Sequence, residues 1–554
     1  MPLTPKLKLL LLAGMAIGGS PKYLLRDDFT DTLASGSVNG TPAVPGPGTR
    51  AVVDTNSKIS LSGGLLNFAT GAAVSDGLWL NLMTRTAGRI LVAKMNIADT
   101  AGAPALGWGI LQSGAITDRI ALNALVGLVI LNAATASSLV LGSYTANVSY
   151  TIAGIMRSSG ICWFIKGGVF TNWTLLAITD TGSANCYPGS QARNITTISN
   201  NNILRVPVTL WLPTPLASDG MTSATLTDGA GHAETTGIGS GGANVPWATA
   251  ATWAVAGGVA ANTPVPGAEG LTNGNMETGD PPTGWIAQAA TLDGVADERT
   301  GGAGVQSIDI LGTGVYPSAY KAAVLPVGFM RFSGWGKNIA GNAGFFSPAP
   351  GFNAPAVGDV AWVSKTFTFL YTTANPYIQL YSGTLATHEA RFDDISCKPL
   401  TFSELVRPLN TVFTADVVAQ VKVAAFTAYT QAGMAVRLNS STTPTAGIIA
   451  YFDGWGDIKC YEFSGSTWTQ LFTAAKAFTA NGSLQLITDG ANIRLIHLTS
   501  AGAATLIGST AAATITTGGY HGLLSTDPGN TLDNLVIYPR GTGGEYSILD
   551  RWSK

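Results

Sequence analysis

The chain has 554 residues, enough for about three or four domains at the usual 100–200 residues each. Hydrophobic residues make up 46%, which excludes a disordered chain, while Asp, Glu, Lys and Arg together reach only 11%, against about 25% in ordinary soluble proteins. A formal net charge of −2 offers no electrostatic handle for a nucleic-acid partner, and so charge-poor a surface predicts cover by neighbouring subunits.

In chain order, residues 1–24 read as an N-terminal apolar arm. "MPLTPKLKLLLLAGMAIGGSPK" has a basic start, an apolar run and small residues, with Ala16 and Gly18 placed as in a cleavage site. The run Leu9–Gly19 is shorter than the roughly 20 apolar residues a bilayer span requires, so no membrane span is expected. An uncleaved arm docking on another chain and a signal peptide are the two readings.

Beyond the arm, helical periodicity is missing. "RILVAKMNIA", "LVGLVILNA", "VAQVKVAAFT" and "SLQLITDGANIRLIHLT" are short and β-rich, and Gly, Asn, Asp and Ser turns separate them. Many short strands with such punctuation predict antiparallel sandwiches. The pattern also repeats. "KISLSGGLLNFA" (Lys58–Ala69) matches "TWAVAGGVAANT" (Thr252–Thr263), each a strand, a Gly-Gly turn and a second strand. The first copy continues directly into "LWLNLMTRTAGRILVAKMNI". The second resumes some 140 residues later as "NTVFTADVVAQVKVAAF", and the copies close alike on "NNNILRVP" (Asn200–Pro207) and "LDNLVIYP" (Leu532–Pro539). The expected fold is therefore all-β: tandem antiparallel jelly-roll β-sandwiches, the second interrupted by an inserted β-sandwich. The first covers 25–213, the second is split over 214–267 and 400–554, and the insert is 268–399. Pro264, Pro266 and Gly267 mark the way in and Pro399 the way out. An insert whose two ends meet at a loop should be removable.

"LRDDFTDT" at the opening, with the Asp/Asn-rich closing strands, resembles concanavalin A-like (laminin-G-like) jelly rolls. The insert resembles the jelly-roll carbohydrate-binding modules that accompany polysaccharide-degrading enzymes, which start N-x-x-F-E-x-G…W and end on a D-D-[VI] strand. The matching stretches here are "NGNMETGDPPTGW" (Asn273–Trp285) and "RFDDISCKP" (Arg391–Pro399), with Met276 at the usual aromatic or leucine position. "MRFSGWGKN" and "VSKTFTF" match the strands between. The resemblance implies a structural Ca2+ held by Glu277 with Asp393 or Asp394, helped by backbone carbonyls near Asn273 and Asn275. The same acids also suit turn capping without metal. It further implies sugar-stacking aromatics: Trp285, Trp335, Tyr377 and Tyr381 in the insert, Trp455 and Trp468 in the last domain. Sandwich packing is the competing role, because Trp335 lies in an alternating strand and "YEFSGSTWTQL" reads as a hairpin.

Catalytic signatures are missing. No E-x-D-x-x-E strand places two carboxylates on one face, and there is no H-E-x-x-H or nucleophile elbow. His232, His388, His497 and His521 lack ligand spacing. Gly237, Gly239 and Gly242 match G-x-G-x-x-G, but Pro246 and no helical pattern follow, so a turn is expected. Asp27 and Asp28 read as caps at a strand entrance. Cys162 and Cys186 could pair, whereas Cys397 and Cys460 stand apart. Sandwiches of this kind build phage and virus appendage and capsid-decorating proteins. The expectation is thus a non-catalytic virion structural or adhesive protein (capsid decoration, head fibre or tail appendage) at the virion surface. Its partners would be other virion proteins or its own copies, in a homo-oligomer or lattice, and cell-surface glycans. The alternatives are a secreted or cell-surface bacterial carbohydrate-binding protein, or the non-catalytic part of a polysaccharide-active enzyme.

Overall fold

In a computed structural model the β-rich segments form antiparallel sheets, and the α-helices among the described residues are two short ones, Phe402–Leu405 and Asp550–Ser553. Residues 23–554 are described apart from 73–75, 100–103, 113–114, 125–126, 133–136, 158–159, 181–184, 214, 220, 222–246, 249–250, 297–305, 323–324, 342–343, 348–355 and 373–376. The apolar run Leu9–Gly19, the Gly237–Gly242 stretch, His232 and the Cys186 side chain lie outside the described residues. No helix among the described residues is long and apolar enough to cross a membrane.

The internal repeat is carried into the sheets strand for strand. One sheet of the first sandwich runs Phe170–Asp180, Gly160–Gly167, Ser149–Met156, Ile90–Asn96, Ser199–Pro207, Leu65–Phe68, Ile59–Ser62, with Tyr23–Asp27 also on Ser199–Pro207. Its twin runs Ala504–Thr510, Asn492–Leu498, Gly482–Asp489, Val417–Ala425, Thr531–Pro539, Val259–Asn262, Trp253–Ala256, with Ala217–Asp219 also on Thr531–Pro539. The facing sheets match likewise. The first orders Ser137–Gly142, Gly127–Asn132, Ala115–Asn123, Ala105–Gln112, Asn185–Arg193, Gly77–Trp79 and Ala51–Val53. The other orders Thr467–Ala475, Asp457–Ser464, Ala446–Asp453, Gln431–Leu438, Tyr520–Ser525 and Val406–Pro408.

Local chemistry repeats too. Gly63 and Gly64 have φ of 62° and 75°, and Gly257 and Gly258 have 61° and 81°. A two-residue hairpin with both central φ positive matches strand twist and excludes most side chains, hence the paired glycines. At each opening an aspartate caps the residue two on: Asp27 Oδ1 accepts the Phe29 N–H, Asp219 Oδ1 the Met221 N–H, and both capped residues have φ 53°. The partners differ. Asp27 faces Arg50, which also binds Asp31, with the Asp27 and Arg50 side chains 0% exposed; Asp219 takes the Trp247 indole N–H.

Between Val259–Asn262 and Val406–Pro408, where the first copy has a short link from Phe68 to Gly77, the chain makes a third sandwich. Among the described residues its strands pair with one another. One five-stranded sheet runs Ile286–Gln288, Ser318–Ala322, Tyr377–Tyr381, Gly344–Ser347, Ala356–Val357. The other runs Ala290–Ala296, Gln306–Gly312, Glu389–Pro399, Gly328–Ala340, Val363–Tyr371. The way in and the way out are clipped by a Pro266–Leu400 bridge and a Gly267 N–H to Pro399 carbonyl hydrogen bond.

The sandwiches are not beads. Val418, Ile487, Ile496, Leu498, Val536 and Tyr538 of the second pack into the hydrophobic core of the first. Between the two sheets Gln485, fully buried, pairs with the backbone of Ile178, accepting its N–H at 3.1 Å and donating to its carbonyl at 3.0 Å. Phe329 and Leu370 of the insert meet Leu400, Leu405, Tyr451, Tyr461 and Phe463 of the second sandwich. Thr368, Gln431 and Thr526 hydrogen-bond beside them in the buried contact. Finally Tyr546, Leu549 and Trp552 return to the first sandwich, where Asp550 binds Lys166 and the Trp173 indole.

Three free thiols, Cys162, Cys397 and Cys460, are buried, so Cys162 does not form the suggested disulfide; burial pushes it up to about 11. Two outcomes are expected. Arg50→Met leaves Asp27 charged and dry, which costs about 3–5 kcal/mol in urea unfolding; a loss below about 1 kcal/mol contradicts the pairing. Excising 268–399 should retain a β-type circular dichroism spectrum but cause self-association, because Tyr451, Phe463 and Leu405 lose their cover. Size-exclusion chromatography showing a monodisperse monomer would count against that burial as an obligatory contact.

Candidate functional site

The strand Gly328–Ala340 has Glu389–Pro399 on one side and Val363–Tyr371 on the other. Strand alternation sends Met330 and Phe332 into the insert's core and turns Ser333, Trp335 and Lys337 to the outer face. Trp335 stands opposite Ser364 on one neighbour and Asp393 on the other; Lys337 stands opposite Arg391. The Lys337 ammonium lies 5.2 Å from the Trp362 ring centroid, and Arg391 pairs with Asp309 at 3.4 Å. The result is one sheet face carrying two indoles, two cations and the carboxylates of Asp309 and Asp393, with Asp293 and Glu389 beside Asp309. Flat rings stack on the apolar face of a pyranose, and the charged groups can donate to and accept from its hydroxyls. Glycines 334 and 336 lie beneath this face, where an added Cβ would meet Ile395 Cδ1 at 2.6 Å and Val357 at 3.1 Å.

The other aromatic candidates do not gather here. Trp285 is 5% exposed, in the core, with its indole N–H 3.3 Å from the Asn273 carbonyl, so its ring is committed to packing. Tyr377 and Tyr381 are partly exposed on the outer face of the opposite sheet, where Tyr377 meets Tyr320 edge-on at 6.0 Å. Trp455 lies between Phe367 (5.6 Å) and Tyr429 (4.9 Å), against the insert's core. Trp468 stacks on Phe463 at 4.6 Å in the contact between insert and second sandwich. These last two work as interface residues. Trp362, Lys337, Arg391 and Asp309 were not singled out from sequence. The alternation in "GWGKN" was the available signal, but which strand lies beside it is a matter of register.

The five oxygen donors proposed for Ca2+ split into two groups. Asn273, Asn275 and Asp394 line a cavity of about 360 Å3 together with Glu269 and Lys398, while Glu277 and Asp393 are not among its walls. Asn273 is the organiser of its loop: its side-chain oxygen accepts the Thr278 N–H at 3.2 Å and its NH2 donates to Thr278 and Thr283 carbonyls. Glu277 Oε1 accepts the Gln306 N–H at 3.0 Å, and Asp393 Oδ1 that of Asp394 at 2.7 Å. Both Glu269 oxygens hold strand groups, at Leu271 and Cys397 on one side and Ser396 on the other. Among the described residues no three His, Cys, Asp or Glu side chains converge as a metal cage.

No protein-family model matches the chain, and no curated protein is detectably similar to it. Among solved structures it is similar to the VIP36 exoplasmic/lumenal domain in its Ca2+/Man3GlcNAc-bound form, with 7% identity over 30% of this chain and 86% of that one (TM-score 0.24). It is also similar to a putative beta-glucanase of Mycobacterium abscessus, at 12% identity over 33% and 99% (TM-score 0.24). A third likeness is a family 16 glycosyl hydrolase protein of Mycobacterium smegmatis, at 13% over 33% and 100% (TM-score 0.22).

Asn273→Ala is expected to lower stability by about 1–2 kcal/mol through lost loop hydrogen bonds, equally with and without EDTA. A melting temperature that EDTA lowers in the parent protein but not in Glu277→Gln would instead assign the loop to calcium.

Proposed function

We propose that this chain is a non-catalytic structural and adhesive protein of a virion surface, used as a capsid decoration, head fibre or tail appendage, and that its inserted sandwich contacts glycans. The observation that carries the reading is the union of three sandwiches through buried outer faces, with one polar and aromatic sheet face, around Trp335 and Trp362, on the insert. Sandwiches joined through buried apolar faces suit mechanical display. Its charge content of 11% favours contacts with further copies or other particle proteins. Apolar side chains exposed on the insert, Val315 (67%), Tyr316 (56%) and Leu385 (55%), also suit contact with another protein.

The second reading is a secreted or cell-surface carbohydrate-binding protein, which would use the same face. Immunogold labelling of purified native particles distinguishes the two: regular decoration supports the virion role, and protein found only in secreted or cell-surface fractions overturns it. On a glycan array, Trp335→Ala with Trp362→Ala should weaken binding about tenfold or more, the worth of one to two stacked rings. An unchanged profile would remove glycan contact from this face.

A further inference from the structure

The duplication gives each large sandwich a second sheet with the same strand order, yet their outer faces carry different chemistry. In the second sandwich that face, with Tyr451 and Tyr461, lies beneath the insert. In the first, the corresponding face belongs to Ala115–Asn123, Ala105–Gln112, Asn185–Arg193 and Gly77–Trp79. Cross-strand register lines up Trp79, Gly189, Gly109 and Arg119 in one row, and Gly77, Gln191, Gly107 and Ala121 in the next. Trp79 and Arg119 thus stand three strand spacings apart, about 14 Å, with only glycine between them. Leu78 and Ile120, the neighbours of Trp79 and Arg119 in chain order, point inward and are fully buried.

Arg119 lies flat along this face. Its Nη1 donates to Gln191 Oε1, a neutral acceptor, and a Cβ at Gly107 would meet its Cδ at 3.0 Å, so the glycine makes room for it. Its Nε, also buried, has no partner. Arg193 is on the same strand and face as Gln191 and is exposed. Among the described residues no carboxylate pairs with either arginine. Burial, then the neighbouring Arg193, push the Arg119 guanidinium down to about 10. Two cations that no described carboxylate neutralises, over a low-polarity floor, favour an anion, and a guanidinium grips carboxylate or sulfate through two parallel N–H donors.

We infer that this face binds an acidic saccharide, with Trp79 stacking on a sugar ring while Arg119 and Arg193 hold its carboxylate or sulfate. Gln191 orients Arg119. The site is separate from the insert's Trp335 face and does not depend on the virion reading.

The test uses the full chain and three tetrasaccharides: oligogalacturonate, its methyl ester, and a sulfated galactan, titrated by calorimetry at low and high salt. Oligogalacturonate, the sulfated probe or both should bind, more weakly at high salt, and the methyl ester should not. Which acid binds identifies the anionic group. Arg119→Gln should weaken binding about ten- to hundredfold, the range of one charged hydrogen bond. Arg193→Gln, at an exposed side chain that cannot threaten folding, should weaken it in the same direction, and Trp79→Ala should too. Trp335→Ala with Trp362→Ala should leave acid binding unchanged, which separates failure here from failure of the glycan reading above. Absence of binding by both acidic probes, equal binding of the methyl ester, or acid binding that survives Arg193→Gln unweakened each overturns the proposal.

Discussion

Apolar sheet faces on both sides are the constraint on which this structure depends. A sheet that is apolar on one face needs one partner; a sheet that is apolar on both needs two. Val418, Ile487 and Val536 point away from their own sandwich, and the first sandwich's outer sheet takes them out of water. Phe329 and Leu370 stand in the same position on the insert. Gln485 shows how strictly this contact is met, because one side-chain amide satisfies both backbone groups of Ile178 where two sheets would otherwise leave them dry and unpaired. The orientation of the three units thus follows from burial rather than from linkers.

This double burial also explains what could be read from the chain. Hairpins survive as local signals: Gly63-Gly64 and Gly257-Gly258 announce their turns because positive φ selects glycine. The split of the second sandwich followed from the repeat around these turns. Strands such as Gln431–Leu438, buried at every position, show no alternation, so nothing in their sequence says which face is inner and which meets another domain. Trp455 and Trp468 could therefore pass for ligand-facing rings while lying in an interface.

Register hid the rest. Trp335 was visible in its own strand, but Asp393, Ser364 and Trp362 come beside it only through pairings between segments far apart in the sequence. Arg119, Gln191 and Trp79 are the same kind of case, each from a different strand. The D-D pair at 393–394 was visible but its chemistry was not. A bulge of the backbone, with Asp394 at φ 49°, turns the two carboxylates to different surroundings.

The return of Trp552 and Asp550 to the first sandwich sets an order in time. Arg205 binds the Trp552 carbonyl across 347 residues of chain, and Lys166 reaches Asp550 across 384. During synthesis the first sandwich must wait, its outer sheet still wet, while the second sandwich and the insert emerge. Contacts of such long sequence separation close last and slowly. A ribosome-bound intermediate of this chain would expose apolar sheet surface until the second sandwich has emerged.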